Sequence, residues 1–386
     1  MKIDERLKEW ATEKQAQYID AVNEHGGFRA AARALGLNKT TLQISIQRLQ
    51  NNAATRGYSP EHGWNNTVPT THIAKGVSTY YDADGNVKGQ WVKADLDKKK
   101  ALELVQQAIQ VMAQEIKGLS PLISAPNKTN SDLLAVYPMG DPHIGMYAWA
   151  KECGEDFNLD DARRITFGAI DRLVTAAPAA DTCVILPLGD VFHADDQSNV
   201  TPGHGHQLDV DTRYVKVLEV GIETFRHVIV RALEKHKNVV VRFVQGNHDP
   251  NSVWALAFTI HAYFANNPRV TVDLTPAKSW FYRFGRVLIG ATHGDTIKPE
   301  NLLGVMACDR AQDWGETKHR YFYSGHIHHR QVKEYPGMIW ESFRTLAAKD
   351  AYAAGHGYRA GRDMMCIIHH KDHGEIERHT CDIGML

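Results

Sequence analysis

The sequence predicts an α/β fold with a small helical domain ahead of it, and three observations carry that prediction. β-Rich runs at 133–139, 182–188, 239–244, 287–291 and 321–323 each stop abruptly at a polar cluster. An apolar strand that ends this way delivers groups to the carboxyl edge of a sheet, where open α/β sheets keep their sites. Amphipathic helical stretches, such as 160–174 and 214–235, lie between several of the runs, which is the alternation of an α/β domain. Far upstream, residues 15–50 show helical periods broken by glycine turns.

Length and charge bound the rest. At 386 residues the chain is too long for one typical domain. Its 43% hydrophobic and 23% charged residues describe an ordinary globular protein, and a formal net charge of −1 means that any basic surface must be local. Cysteines 153, 183, 308, 366 and 381 form no Cys-x-x-Cys pair or regular framework, so reduced thiols in a cytoplasmic protein are expected. The charged start Met-Lys-Ile-Asp-Glu-Arg lacks the apolar run of a signal peptide, and no stretch of about 18 apolar residues occurs. Neither secretion nor a membrane partner is expected.

Within the N-terminal third, Tyr18, Ile19 and Val22 have helical spacing, and Gly26-Gly27 ends that helix. A short alanine-rich helix over 28–35, the turn Gly36-Leu37-Asn38 and a helix from about Lys39 follow. The pattern Ala31, Ala32, Leu35, Leu37, Leu42, Ile46, Leu49 resembles a helix-turn-helix of the kind found in bacterial regulators, with small residues for close packing, glycine in the turn and apolar anchors in the second helix. From 26 to 57 the charged residues are Arg29, Arg33, Lys39, Arg48 and Arg56, a local +5 without one acidic residue. Arg29, Arg33, Lys39, Thr40, Thr41, Gln43, Gln47 and Arg48 are candidate DNA contacts, being types that reach phosphates and base edges. A helical bundle used for oligomerisation or domain packing is the alternative.

Residues 58–76 read as an extended linker. Two β-rich runs around Asp84-Gly85-Asn86 predict a hairpin, with Tyr80, Tyr81 and Trp91 as a small packing cluster, weighed against a base-stacking platform. A helix is expected over 95–116 and a breaker-rich linker over 118–130. The expected domains are 1–57 (helix-turn-helix), 58–130 (linker, hairpin and connecting helix) and 131–386.

The polar clusters of the last domain are Gly140-Asp141-Pro142-His143, Gly189-Asp190-Val191-Phe192-His193, Gly246-Asn247-His248-Asp249, Thr292-His293-Gly294-Asp295 and Gly325-His326-Ile327-His328. In this order they resemble the signature of the calcineurin-like metallophosphoesterase superfamily: D-x-H, G-D-x-x-[DH], G-N-H-[DE], a lone His, and G-H-x-H. The match covers roughly residues 132–345. The resemblance implies a metallophosphoesterase β-sandwich flanked by helices, holding two divalent metal ions. It implies that Asp141, His143 and His328 hold one ion and Asn247, His293 and His326 the other, with Asp190 between them. Carboxylate, amide oxygen and imidazole without thiolate suit manganese, with iron and zinc as alternatives, rather than a structural zinc site. Two such ions clamp a phosphate and lower the pKa of a water between them, so the expected reaction is phosphodiester hydrolysis by metal-activated water.

By the same resemblance His248 faces the substrate rather than a metal, where it stabilises charge or protonates the leaving oxygen. Asp249 orients His248, ties down the loop or caps the turn. His193 stands where many superfamily phosphatases carry Asp and where the double-strand-break repair nucleases carry G-D-x-F-H. That implies a catalytic role in positioning a DNA phosphate, weighed against merely supporting a ligand. His204 and His206 as cleft residues, and Arg213, Arg344 and Lys349 as phosphate contacts, are further candidates.

The expected function is a DNA nuclease, exo or endo, whose helix-turn-helix keeps DNA near the site by raising its effective concentration. One alternative is a phosphatase or phosphodiesterase acting on nucleotides or other small molecules, with the N-terminal module used for assembly, a homo-oligomer among the options. Another is a DNA-binding regulator with an inactive sensor, which the seven intact ligands disfavour. G-D-V-F-H-A-D and G-N-H-D depart from the protein Ser/Thr phosphatase pattern. The repair nucleases carry a cap and an ATPase-engaging segment after G-H-x-H, whereas residues 329–386 suffice to finish the sheet and little more. An ATPase partner is therefore not expected, and the N-terminal module would stand in for the cap. The arrangement also looks like phage-encoded phosphoesterases with an N-terminal helix-turn-helix, which suggests the cytoplasm of a bacterium or a phage-infected host.

Overall fold

A computed structural model describes residues 2–60, 72–82, 87–96 and 116–386. The chain divides into two units, Met1–Ala108 and Ile109–Leu386.

In the first unit α1 (Glu13–His25), α2 (Phe28–Ala34) and α3 (Lys39–Thr55) follow a 3-10 turn at Glu5–Trp10. Thr12 and Gln15 close a capping box on α1, and Gly26, at φ 76°, ends that helix in the left-handed conformation. Tyr18, Ile19 and Val22 of α1 pack with Ala31 and Ala32 of α2 and with Leu42, Ile46 and Leu49 of α3. Leu35 is not the anchor its spacing predicts: it ends α2 exposed, and Leu37 packs against the core instead. Tyr58, read from the sequence as linker, closes this core. Its ring stacks on Trp10 at 5.0 Å, the Arg6 guanidinium lies 4.5 Å from it, and its hydroxyl donates to Asp4.

β1 (His72–Tyr81) and β2 (Val87–Leu96) pair antiparallel as the hairpin reading expects. The turn Asp84-Gly85-Asn86, and residues 97–115 of the expected connecting helix, lie outside the described residues. The expected aromatic cluster does not form between Tyr80 and Trp91, which are both more than half exposed. Register sets Ser78 against Trp91 and Tyr80 against Gly89, so the two rings do not face one another across the ribbon.

The second unit is built on two sheets. The six-stranded sheet runs in the order β13 (Gly374–Asp382), β12 (Asp363–His370), β3 (Asn130–Met139), β4 (Ala180–Pro187), β5 (Asn238–Arg242), β6 (Val270–Asp273), with β3 to β6 parallel. The five-stranded sheet runs β10 (Gln331–Tyr335), β11 (Met338–Ser342), β9 (His319–Ser324), β8 (Val287–Ala291), β7 (Trp280–Phe284), with β8, β9 and β11 parallel. Residue alternation sorts the layers. Leu134 and Val136 of β3 face inward with Val184 and Leu186 of β4, against Val287 and Ile289 of β8 and Tyr321 and Tyr323 of β9. Ala135 and Tyr137 face outward, under α5 (Leu159–Ala176), α6 (Tyr214–Lys235) and α7 (Ser252–Tyr263). On the far side Leu288 and Phe322 pack beneath Leu302 and Met306 of α8 (Pro299–Asp309), which α9 (Ala311–Glu316) follows. The short helices α4 (Ala150–Cys153) and α10 (Ala351–Gly355) pack on one another. This is a sandwich of two sheets flanked by helices, consistent with a metallophosphoesterase fold. Among the described residues no helix is long and apolar enough to cross a membrane.

Candidate metal centre

The parallel run of β3, β4 and β5 in one sheet and of β8 and β9 in the other sends the loops after all five strands to strand carboxyl ends. Those loops carry Asp141 and His143, then Asp190 and His193, then Asn247 and His248, then His293, and finally His326 and His328. Asp141 (φ 42°), His143 (46°), Asp190 (47°), His326 (68°) and His328 (53°) sit in the left-handed region, which among the described non-glycine residues is otherwise occupied only by Asn199. Such a backbone costs an L-residue about 1–2 kcal/mol, so the surroundings must impose it. The bonds that do so are present. His326 N donates to both oxygens of Asp141 at 3.0 Å, His143 N to the Asp190 carbonyl at 3.0 Å, and Thr345 Oγ1 to the Asp141 carbonyl at 2.6 Å. Gly246 is required by space, because a β-carbon there would collide with the carboxylate and backbone nitrogen of Asp190.

Three groups of side chains with ligand character meet here: Asp141, His143 and His328; Asp190, His293 and His326; and His143, His193 and His248. Asn247 joins the second group through Oδ1, 3.0 Å from His293 Nε2, which also lies 3.1 Å from Asp190 Oδ2. In the first group the Nε2 atoms of His143 and His328 face each other at 3.1 Å, with Asp141 Oδ1 3.6 Å from His328. His293 Nδ1 donates to the Leu188 carbonyl at 2.8 Å, which fixes the ring and leaves Nε2 as its ligating atom. The seven residues named from the sequence as metal ligands are thus brought together, Asp141 with His143 and His328, and Asp190 with His293 and His326, with Asn247 beside His293.

Electrostatics favour a cation. Burial works against charge on both Asp190 and His293, yet their attraction holds His293 above the usual imidazole range and Asp190 below the usual carboxylate range. Burial also opposes the charge of His328, which the Asp141 carboxylate nevertheless raises. Two sunken carboxylates that draw protons onto neighbouring imidazoles, and imidazole nitrogens converging at hydrogen-bond distance, form a donor set that fits divalent metal ions.

His193 and His248 stack with ring centroids 5.4 Å apart. His248 Nδ1 donates to the His193 carbonyl at 2.8 Å, so Nε2 is its outward-facing atom. Burial pushes His193 down to about 3, and its Nε2 is sealed from solvent with no hydrogen-bond partner among the described residues. Asp249 does not orient His248. Its two oxygens accept from Phe192 N and Gly246 N at 3.1 Å, tying the β4 loop to the β5 loop. Burial and the neighbouring Asp190 push its carboxyl up to about 8.

The other candidates scatter. Arg344 pairs with Asp363 at 2.6 Å, Arg213 sits at the start of α6, and His204 and His206 lie exposed in the loop after β4. Arg29, Arg33, Lys39, Thr40, Thr41, Gln43, Gln47 and Arg48 are all exposed on α2 and α3 of the first unit. Sequence reasoning missed Thr345 and the Leu188 carbonyl, which act through backbone contacts that no residue type announces. It also missed Asp195, whose carboxylate takes the backbone N–H groups of Asn251 and Ser252 and pins the start of α7.

No protein-family model matches the sequence, and no curated protein matches it. Solved structures do show likeness. Vps29 of Entamoeba histolytica complexed with zinc is 14% identical, over 64% of this chain and 99% of that one, with a TM-score of 0.29. A predicted phosphoesterase from Streptococcus pneumoniae is 11% identical over 65% and 98%, with a TM-score of 0.27. An archaeal phosphodiesterase is 12% identical over 64% and 99%, with a TM-score of 0.33. The functional reading rests on the geometry of the site itself.

Proposed function

We propose that this protein is a metal-dependent phosphodiesterase acting on DNA, with α2 and α3 as a helix-turn-helix that holds the substrate. The observation that carries the chemistry is the convergence of two carboxylates, an amide and four imidazoles on one floor at five strand ends. In this reading Asp141, His143 and His328 hold one divalent ion, manganese by preference, and Asn247, His293 and His326 the other, with Asp190 shared. When bound, the two ions supply the concentrated positive charge that a phosphodiester needs before water can attack it.

The chain's own groups do the rest. His248, its Nδ1 proton committed to the His193 carbonyl, presents Nε2 to the leaving oxygen and, as an imidazolium protonated at both nitrogens, gives that oxygen its Nε2 proton. His193 keeps a neutral ring buried behind His143, its Nδ1 3.3 Å from His143 Nδ1, and in this reading it positions that ligand. Asp249 holds both loops in register. The eight exposed residues of α2 and α3 would meet DNA phosphates and base edges, supported by the local +5 charge.

The test is a panel of manganese, iron and zinc against linear DNA, single-stranded DNA, cyclic nucleotides and an aryl phosphodiester. DNA cutting with manganese is expected, and its loss in Asp190→Ala. Turnover of the small diesters without any cutting of DNA would overturn the substrate, and an Asp190→Ala variant that still cuts would overturn the centre.

A further inference from the structure

A cluster of exposed aromatic rings lies close along the chain to the metal centre and has no part in the core. Tyr147 and Trp149, 42% and 48% exposed, stand four and six residues after His143. Tyr352 and Tyr358, 59% and 57% exposed, follow Thr345, the residue that grips the Asp141 carbonyl. At no more than about 3.6 Å per residue, Tyr147 lies within about 14 Å of His143 and Tyr352 within about 25 Å of Thr345. α10, which carries Tyr352, packs on α4, at whose N-cap Trp149 stands.

The backbone that carries Tyr352 and Tyr358 is fixed by local hydrogen bonds. Asp350 caps the start of α10 through Ala353 N at 2.8 Å. At the other end Gly357, at φ 78°, turns the chain back so that Tyr358 N donates to the Ala353 carbonyl at 3.0 Å. His356 Nδ1 donates to the Tyr352 carbonyl, which sets its ring 4.0 Å from that of Tyr352 and 6.1 Å from that of Tyr358. Cations accompany them. Lys151 lies 5.3 Å from the Trp149 ring, and Arg359 donates to the carbonyls of Tyr358 and Ala354.

We infer that this surface is a stacking platform for the unpaired bases of a single DNA strand whose phosphate lies at the metal centre. Solvent-facing rings accompanied by positive charge are what sequence-tolerant single-strand binding uses, since every base offers a π-face and every nucleotide a phosphate. Tyrosine and histidine rings accompanied by Lys151 and Arg359, close along the chain to a centre proposed to take a phosphodiester, suit a nucleic-acid strand. The inference rests on the proposed action on DNA and narrows it to unpaired strands.

The experiment measures binding by the full-length chain, with chelator present so that no strand is cut. Fluorescence anisotropy compares a labelled oligothymidylate with an abasic strand of equal length and charge. Wild type should favour the base-bearing strand by about tenfold or more, given the usual worth of base–aromatic stacking. Tyr352→Ala/Tyr358→Ala should bring that ratio close to one, Trp149→Ala should reduce it, and Tyr352→Phe/Tyr358→Phe should keep it. Equal binding of the two strands by wild type overturns the platform, as does discrimination that survives both alanine variants. A protein that discriminates bases but cuts no DNA in the metal panel overturns the nuclease reading alone. One that cuts DNA without discriminating overturns the platform alone.

Discussion

At the residue scale the centre depends on small distances that leave no slack. Gly246 touches Asp190 so closely that Gly246→Ala must displace either the carboxylate or the loop. We expect that variant to fold, to lose bound metal by elemental analysis, and to lose activity by roughly a hundredfold or more, because outlying contacts that orient ligands are worth 10- to 100-fold by themselves. His248→Gln should behave oppositely. Metal content stays near that of wild type while turnover falls by roughly a hundredfold, the range of a missing general acid; metal loss in this variant would show that the ring is a ligand. The residue types of this site were legible in the sequence because five polar clusters each followed an apolar run. The role of Asp249 was not legible, since a carboxylate one residue from His248 looks like its partner until the backbone shows it turned to Phe192 and Gly246. Thr345 was hidden for a related reason: its contact is to a carbonyl 204 positions away.

At the element scale the strands that deliver these loops are clamped from behind by buried histidines. His236, just past α6, accepts from the Tyr137 hydroxyl at Nε2 and donates from Nδ1 to the Ala180 carbonyl, so it joins β3 to β4 as a neutral ring. Burial pushes it down to about 4 from an ordinary 6.5. The unfolded chain therefore takes a proton that the folded one refuses. The resulting stability is complete above pH 6.5 and is lost as pH falls toward 4, by about 3 kcal/mol. Urea unfolding of wild type and His236→Gln between pH 7.5 and pH 4.5 checks this, with the variant expected to show the shallower dependence. An equal dependence would remove His236 from the account. Strand periodicity made these elements readable, with β8 predicted residue for residue. Packing made the exceptions. Leu35 has the period of an anchor but falls on the last turn of its helix, and Tyr58 follows a glycine yet folds back onto Trp10.

At the scale of the whole molecule a nearly neutral chain concentrates positive charge in one short segment. Binding of duplex DNA through that segment should therefore weaken steeply with salt, and Arg29→Ala/Arg33→Ala/Arg48→Ala should lower the slope of log K against log salt by about 2.7, near 0.9 for each phosphate contact removed. An unchanged slope would assign α2 and α3 to assembly instead. The two-sheet architecture was foreseeable from the order of the motifs, while the extent of each unit was not, because it depends on which side chains meet after folding.

Two backbone amides, those of His248 and His326, end on the carboxylates of Asp190 and Asp141. An arriving cation competes with those N–H groups for the same electron density. Their hydrogen–deuterium exchange is thus a gauge of occupancy built into the backbone and read without any substrate, the His326 amide registering the ion held by Asp141 and the His248 amide the carboxylate that both ions would share.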